Sequence, residues 1–265
     1  MKSTVFLGGG RITSALVSGL RLAKFAGPIV VHDRHPEKLR ILKREHNVIA
    51  EPNLHRAVEA ARLLIVAVRP DSVRDLLREI STHKRRRPLI GISLAAGMPL
   101  PRLRHWLGPP VRWARAMPSP LARRGRGLTA LTFSRDLPSG ARREVRKLFS
   151  LVGSVIELNE SQFDTFTVTF STSHGYHALA GLIAAAEALG LDSGIATLAA
   201  AHALADGILA WRGGDDPLDD LIQEAATPGG TAAAVMNAMN RAGYQKIMRA
   251  GLRAGVKRAR KNTKR

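Results

Sequence analysis

The chain opens on a short apolar run, Thr4–Leu7, which breaks at three glycines and gives way to Ile12, Ala15, Leu16, Gly19 and Leu20 at helical spacing. That change of period predicts strand, turn and helix in succession. Apolar, β-branched runs return at Pro28–His32, Leu63–Val68 and Leu89–Leu94, with helical patterns over Pro36–His46 and Ser72–Ser81 between them. Strands alternating with helices imply a parallel sheet covered on both faces. A further strand, helix and strand are predicted over Gly127–Phe133, Ser139–Leu151 and Gly153–Leu158, and the alternation stops near Glu160.

From Phe163 to Gly255 the chain is rich in alanine and leucine with a helical period and few β-branched runs, the pattern of an all-helical domain. Turn clusters at Gly213–Pro217 and Pro228–Gly230 divide it. The expected architecture is therefore α/β, with a doubly wound sheet over residues 1–160 followed by a helical domain over residues 161–265. The charged end, Arg258–Arg265, is expected to be a frayed tail.

Composition narrows the chemistry. With 265 residues and 45% apolar content the chain can fill one large core or two smaller ones. The absence of cysteine excludes disulfides, thiolate metal sites and cysteine nucleophiles. Lys+Arg 41 against Asp+Glu 21 gives a net charge of +20, which favours anionic ligands. The excess is spread over many segments, with sharper runs at His83–Arg87 and Lys257–Arg265. Few aromatic residues accompany those runs, which argues against single-strand stacking platforms and leaves nucleic-acid binding through Lys84–Arg87 and Lys257–Arg265 as the least favoured reading. Gly8–Arg11 cut short the apolar start that a secretory leader would need, and Glu187, Asp192, His202 and Asp206 interrupt the apolar span Ala178–Trp211. A soluble, cytoplasmic protein with no membrane contact is expected.

The first turn, Gly8-Gly9-Gly10-Arg11-Ile12-Thr13, fits G-x-G-x-x-G/A except that Thr13 takes the third small position. Gly8 permits the tight turn, Gly10 admits a pyrophosphate, and Arg11 and Ile12 open a helix whose N–H groups face an anion. An acidic residue, Asp33, follows at the end of the next strand, as a Rossmann dinucleotide site requires. Asp33 suits the ribose diol of NAD, whereas Arg34 suits the 2′-phosphate of NADP. His35 and Lys38 add positive charge and tilt the expectation towards NADPH, with NADH left open.

Five stretches in order resemble the pyrroline-5-carboxylate reductase family across nearly the whole chain. Phe6–Leu20 (FLGGGRITSALVSGL) resembles the family's opening glycine segment; Val66–Pro70 (VAVRP) resembles A-V-K-P, with Arg69 for lysine; Ile92–Gly97 (ISLAAG) is similar to S-I-x-A-G. Arg115–Ala122 (RAMPSPLA) resembles R-x-M-P-N-T-P-A, and Ala226–Thr231 (ATPGGT) resembles S-P-G-G-T-T. The resemblance implies a Rossmann domain, a helical domain that forms a homodimer and completes the active site, and hydride transfer from NAD(P)H to a cyclic imine in proline biosynthesis. It implies cofactor contacts at Ala67, Val68, Arg69, Pro70, Ala95 and Ser119, the last standing where the family has asparagine.

The substrate half departs further. The loop before Thr231 exposes the N–H groups of Gly229 and Gly230, which suits a substrate carboxylate. Ala232 replaces the family's second threonine. The D-A-V-T-A-L-S-G-S-G-P-A-Y stretch aligns on Asp164–Tyr176, where Ser171-Thr172-Ser173-His174 replaces G-S-G-P. Thr172 and Ser173 are candidate substrate contacts, and His174, Tyr176 and Thr231 candidate catalytic groups. His174 and His177 lack a carboxylate at metal-ligand spacing, so no metal is expected. Two functions follow: reduction of pyrroline-5-carboxylate, or of an altered imine, and a non-catalytic dinucleotide sensor on the same fold.

Overall fold

The computed structural model describes residues 3–82 and 88–262, so the basic run His83–Arg87 and the last three residues lie outside it. The chain divides into two compact units, Met1–Thr169 with Ala254–Arg265, and Phe170–Arg253.

The first unit is built on one sheet of eight strands: β1 (Ser3–Leu7), β2 (Ile29–His32), β3 (Ile49–Ala50), β4 (Ala61–Val66), β5 (Leu89–Ser93), β6 (Val111–Pro118), β7 (Gly127–Phe133) and β8 (Gly153–Glu157). Their order is β3-β2-β1-β4-β5-β6-β7-β8, and only β6 and β7 pair antiparallel. The expected α/β Rossmann architecture with a helical C-terminal region is present.

Alternation along β1 explains why both faces are covered. Phe6 points to a core shared with α1 (Arg11–Leu22), α2 (Pro36–His46) and α6 (Ser139–Ser150), through Leu16, Leu39 and Phe149. Val5 and Leu7 point to the other core, shared with α3 (Leu54–Ala60), α4 (Pro70–Ser81) and α5 (Leu100–Trp106), through Val58, Leu77 and Leu103. A strand buried on both faces reads as a continuous apolar run, which is why β1, β2, β4 and β5 are visible in the sequence.

Strand β6 carries no such run. Arg112 faces solvent and Arg115 is buried, so its VRWARAMP sequence hides a strand behind two charges. Arg115 is only 1% exposed and donates from Nη1 to Glu160 Oε1 (2.9 Å) and from Nη2 to Asp164 Oδ1 (3.0 Å). Its guanidinium lies 4.3 Å from the ring centre of Phe163. All three partners sit on α7 (Glu160–Thr169), and Glu160 Oε1 also accepts the N–H of Leu100 at the start of α5.

The second unit contains α8 (Ser173–Ala188), α9 (Ser193–Gly213), α10 (Leu218–Ala225), α11 (Thr231–Arg241) and the first part of α12 (Tyr244–Lys261). Among its described residues only Ala196 and Ala200 are buried apolar groups, whereas Leu189 is 89% and Leu198 63% exposed. Helices apolar on most faces with no filled core need another surface to cover them. Glu187 and Asp192 fall outside α9, and His202 pairs with Asp206 at 2.9 Å within it. Alpha-helix α9 is thereby the one described helix long and apolar enough to cross a membrane by length and composition.

The expected frayed tail is corrected: α12 stays helical to Lys261, and its last residues group with the first unit. The reason is a close approach. Gly97, at φ +70°, has no side chain, and any Cβ there would overlap the carbonyl oxygen of Ala259. Asn262 Nδ2 donates to the carbonyl of Ala96 at 3.4 Å.

Removing Arg115 leaves two partly buried carboxylates facing each other without a cation. Arg115→Met is expected to cost about 2–4 kcal/mol, towards the lower end of broken buried pairs because Glu160 and Asp164 retain some solvent. Urea unfolding at neutral pH checks this, and a loss below about 1 kcal/mol would reduce the pair to a surface ion pair.

Candidate functional site

In an open parallel sheet, a ligand sits beyond the strand ends where the strand order reverses. Here that point lies between β1 and β4, and the glycine turn after β1 stands at it. Gly8 has φ +110°, and a Cβ there would come 2.7 Å from the carbonyl oxygen of Ala67. Only glycine lets the two strand ends run so close. Its N–H donates to the His32 carbonyl (2.7 Å), and the Ala67 N–H to the Leu7 carbonyl (2.8 Å).

Gly10 is the N-cap of α1, with no capping side chain and no acidic residue in the first turn. A Cβ on Gly10 would meet nothing within 4 Å, so the open space lies directly before the helix N-terminus. Unpaired N–H groups, the positive end of a 12-residue helix and a bare glycine form a cradle for phosphate. Thr13 is fully buried, and its Oγ1 donates back to the Gly8 carbonyl at 2.5 Å. The hydroxyl thus makes the larger side chain serve the turn in the place of a third glycine. Arg11 is exposed beside this cradle and Ile12 packs on the core.

Asp33 closes the turn from the other side. Its Oδ2 accepts the Gly9 N–H (2.7 Å) and Lys38 Nζ (3.4 Å); its Oδ1 accepts the His35 N–H (2.9 Å) and lies 2.8 Å from His35 Nδ1. Burial pushes this carboxyl up, but the N–H groups of Gly9 and His35, the His35 ring and the Lys38 charge together outweigh it and hold the group at about 2. Four donors occupy a carboxylate with about four lone-pair positions, so a ribose diol would have to displace one. Arg34 is exposed next to this knot.

The other expected cofactor contacts lie on the same unit. Ala67 and Val68 follow β4, Arg69 is the exposed N-cap of α4 and Pro70 its first residue. Ala95 is buried, with its N–H on Ser93 Oγ at 3.3 Å. Ser119 is buried as well: its N–H donates to the Leu128 carbonyl and its Oγ accepts the Leu128 N–H at 3.4 Å, joining the chain after β6 to β7.

The substrate candidates lie on the second unit. Thr172 is the N-cap of α8, Ser171 Oγ and Ser173 Oγ are 2.7 Å apart, and the His174 N–H donates to the Ser171 carbonyl at 3.2 Å. Tyr176 is 72% exposed. Gly229, at φ +79°, turns the chain so that Gly230 caps α11 and Thr231 begins it, with no side chain spent on the cap. This 11-residue helix therefore also presents free N–H groups. Among the described residues no three His, Asp or Glu side chains are grouped to hold a metal. Asp164 and Thr167, which match the family pattern, serve structure: Asp164 pairs with Arg115, and Thr167 Oγ1 donates to the Phe163 carbonyl. Gly9 escapes a motif reading that needs only Gly8 and Gly10, yet it is the residue that Asp33 holds.

Residues 3–97 match the family described as NADP oxidoreductase, coenzyme F420-dependent, and residues 160–262 match pyrroline-5-carboxylate reductase dimerisation. The pyrroline-5-carboxylate reductase of Mycobacterium leprae is 30% identical, over 96% of this chain and 94% of its own length. The chain belongs to the pyrroline-5-carboxylate reductase family. Two solved structures share the fold of this reductase family member over nearly all of both chains. One is a pyrroline-5-carboxylate reductase of Coxiella burnetii, with TM-score 0.86, 23% identity and 98% of each chain covered. The other, from Plasmodium falciparum with NADP bound, has TM-score 0.84, 17% identity and covers 99% and 98%. The five-stretch resemblance is thus borne out, with the nucleotide half and the dimerisation half in the expected order.

Because Gly10 fills no packing role, Gly10→Val is expected to leave the melting temperature within about 2 °C while weakening dinucleotide binding at least about tenfold, by blocking the helix N-terminus. Calorimetric titration beside a thermal melt separates the two. The Asp33 knot predicts an acid dependence. With a folded value of about 2 against 3.8 for the free group, its stabilisation is complete above about pH 5 and is lost progressively as pH falls through 2. The melting-temperature gap between the parent and Asp33→Asn should narrow over that window; a gap independent of pH would contradict it.

Proposed function

We propose that this chain reduces 1-pyrroline-5-carboxylate to L-proline with hydride from NADPH. One observation carries the reading: a dinucleotide phosphate cradle, open at Gly10, lies on the same chain as a region matching pyrroline-5-carboxylate reductase dimerisation. The chain is an NAD(P)-dependent oxidoreductase of a C=N bond, as its family membership implies.

NADPH, when bound, supplies the hydride that the imine carbon takes up while the imine nitrogen gains a proton, turning C=N into CH–NH. The protein's own tasks are to hold the dinucleotide, grip the substrate carboxylate and place a proton donor. Gly8 shapes the turn, Gly10, Arg11 and Ile12 receive the pyrophosphate, and Ala67, Val68, Arg69, Pro70, Ala95 and Ser119 line the rest of the cofactor path. The occupied oxygens of Asp33 and the cations of Arg34, His35 and Lys38 favour a 2′-phosphate over a free ribose diol.

Thr231 and the N–H groups that open α11 grip the carboxylate from a turn shaped by Gly229 and Gly230; the expected Gly230 N–H contact is corrected, since that group donates to the Thr227 carbonyl at 2.9 Å. His174 or Tyr176 supplies the proton, and Thr172 and Ser173 border the substrate. In this reading residues 1–160 form the nucleotide domain and residues 161–265 the dimer and substrate domain. The exposed apolar faces of α8 and α9 are where a second copy packs, so α9 is an interface helix, and the homodimer works in the cytoplasm. Ser171–His174 and Ala232 are the positions that would tune the imine accepted.

The test follows nucleotide absorbance with purified protein, NADPH or NADH, and pyrroline-5-carboxylate, then six-membered and non-carboxylated imines. Turnover on pyrroline-5-carboxylate with lower KM for NADPH is expected. Turnover only on another imine moves the substrate, and dinucleotide binding without any turnover favours the non-catalytic reading.

A further inference from the structure

Once the C-terminal segment is helical, its charges fall into register. Helix α12 contains no acidic residue, and Lys246, Arg249, Arg253, Lys257 and Arg260 follow one another at steps of three or four residues. At 100° per residue these five lie within a stripe about 80° wide, and at 1.5 Å per residue the stripe is about 21 Å long. None of Lys246, Arg249, Arg253 and Lys257 has an ion-pair partner among the described residues. The first three, with Gln245 and Ala250, line a groove of about 530 Å³.

The opposite side of the helix is apolar. Leu252, Gly255, Val256 and Ala259 are turned into the protein, and Val168 lies 3.1 Å from where a Cβ of Gly255 would be. Tyr244 and Met248 are exposed on that side, whereas Ile247 is exposed on the flank between it and the stripe, beside Arg258. A helix that bound a bilayer would need a broad apolar face beside its basic stripe, and here Ile247 is the one exposed large apolar group near it among the described residues.

We propose that the α12 stripe is a docking surface for the phosphate backbone of duplex nucleic acid, bound without reading its bases. A row of guanidinium and ammonium groups repeating about every 5–6 Å matches a regularly spaced polyanion, and Arg adds bidentate contacts to phosphate. The absence of aromatic side chains on the stripe removes base stacking, so single strands gain nothing over duplex. The scarcity of aromatics that argues against a nucleic-acid partner in the sequence argues only against base stacking. This surface is separate from the imine-reducing reading and stands or falls without it.

The probe is a fluorescein-labelled 20-base-pair duplex in two unrelated sequences, followed by anisotropy across salt concentrations. Both sequences should bind alike, with log K falling against log salt at a slope of about −3 to −4 if Lys246, Arg249, Arg253 and Lys257 engage four phosphates. Lys246→Gln with Arg249→Gln and Arg253→Gln should lower the magnitude of that slope by about 2 to 3 and weaken binding at least about tenfold. A control triple, Lys43→Gln with Arg143→Gln and Lys147→Gln, removes the same charge from exposed sites elsewhere and should leave the slope unchanged. Equal losses in both triples, with melting temperatures intact, would overturn the stripe in favour of overall charge. No duplex binding at low salt, or binding to phosphatidylserine vesicles but not to duplex, would overturn the nucleic-acid partner.

Discussion

A guanidinium shut away from water in the middle of a sheet must be paired, and Arg115 is paired twice by one helix. That requirement ties β6 to α7 and, through the shared oxygen of Glu160, to the start of α5. Phe163 covers the face of the cation. Helix α7 is the last element of the first unit before the chain enters the second, and one arginine fixes it to the sheet.

The two units solve the burial problem differently. The first closes on itself: its sheet carries a filled core on each face, and its nucleotide cradle is complete in one chain. The second exposes leucines and isoleucines along α9 that a single chain cannot cover. The dimerisation match over residues 160–262 supplies the reason. The first unit thus fills its own cores within one chain, and the exposed apolar residues of the helical half accord with its match to a dimerisation region.

The strands buried on both faces were legible as unbroken apolar runs, and the glycine turn was legible because its spacing is imposed by backbone contact. Strand β6 was not, since Arg112 and Arg115 interrupt the run and the carboxylates that make Arg115 tolerable lie some 45 and 49 residues away. The short β3 and the helices α3 and α5 carry too few residues for a period to register. At the site, Asp33 was found from its spacing, but the donors that fill it could be seen only once the turn was folded. Arg258–Lys261 read as unburied charge because the contact that orders them, at Gly97, is far away in the chain.

That contact also imposes an order of assembly. The first unit includes a stretch from Ala254 onward that follows the whole second unit in the chain. During synthesis at roughly 5–20 residues per second, the turn at Gly97 waits on the order of ten seconds for Ala259 to emerge. The first unit is therefore unfinished for that interval, lacking the stretch of α12 that packs on Gly97.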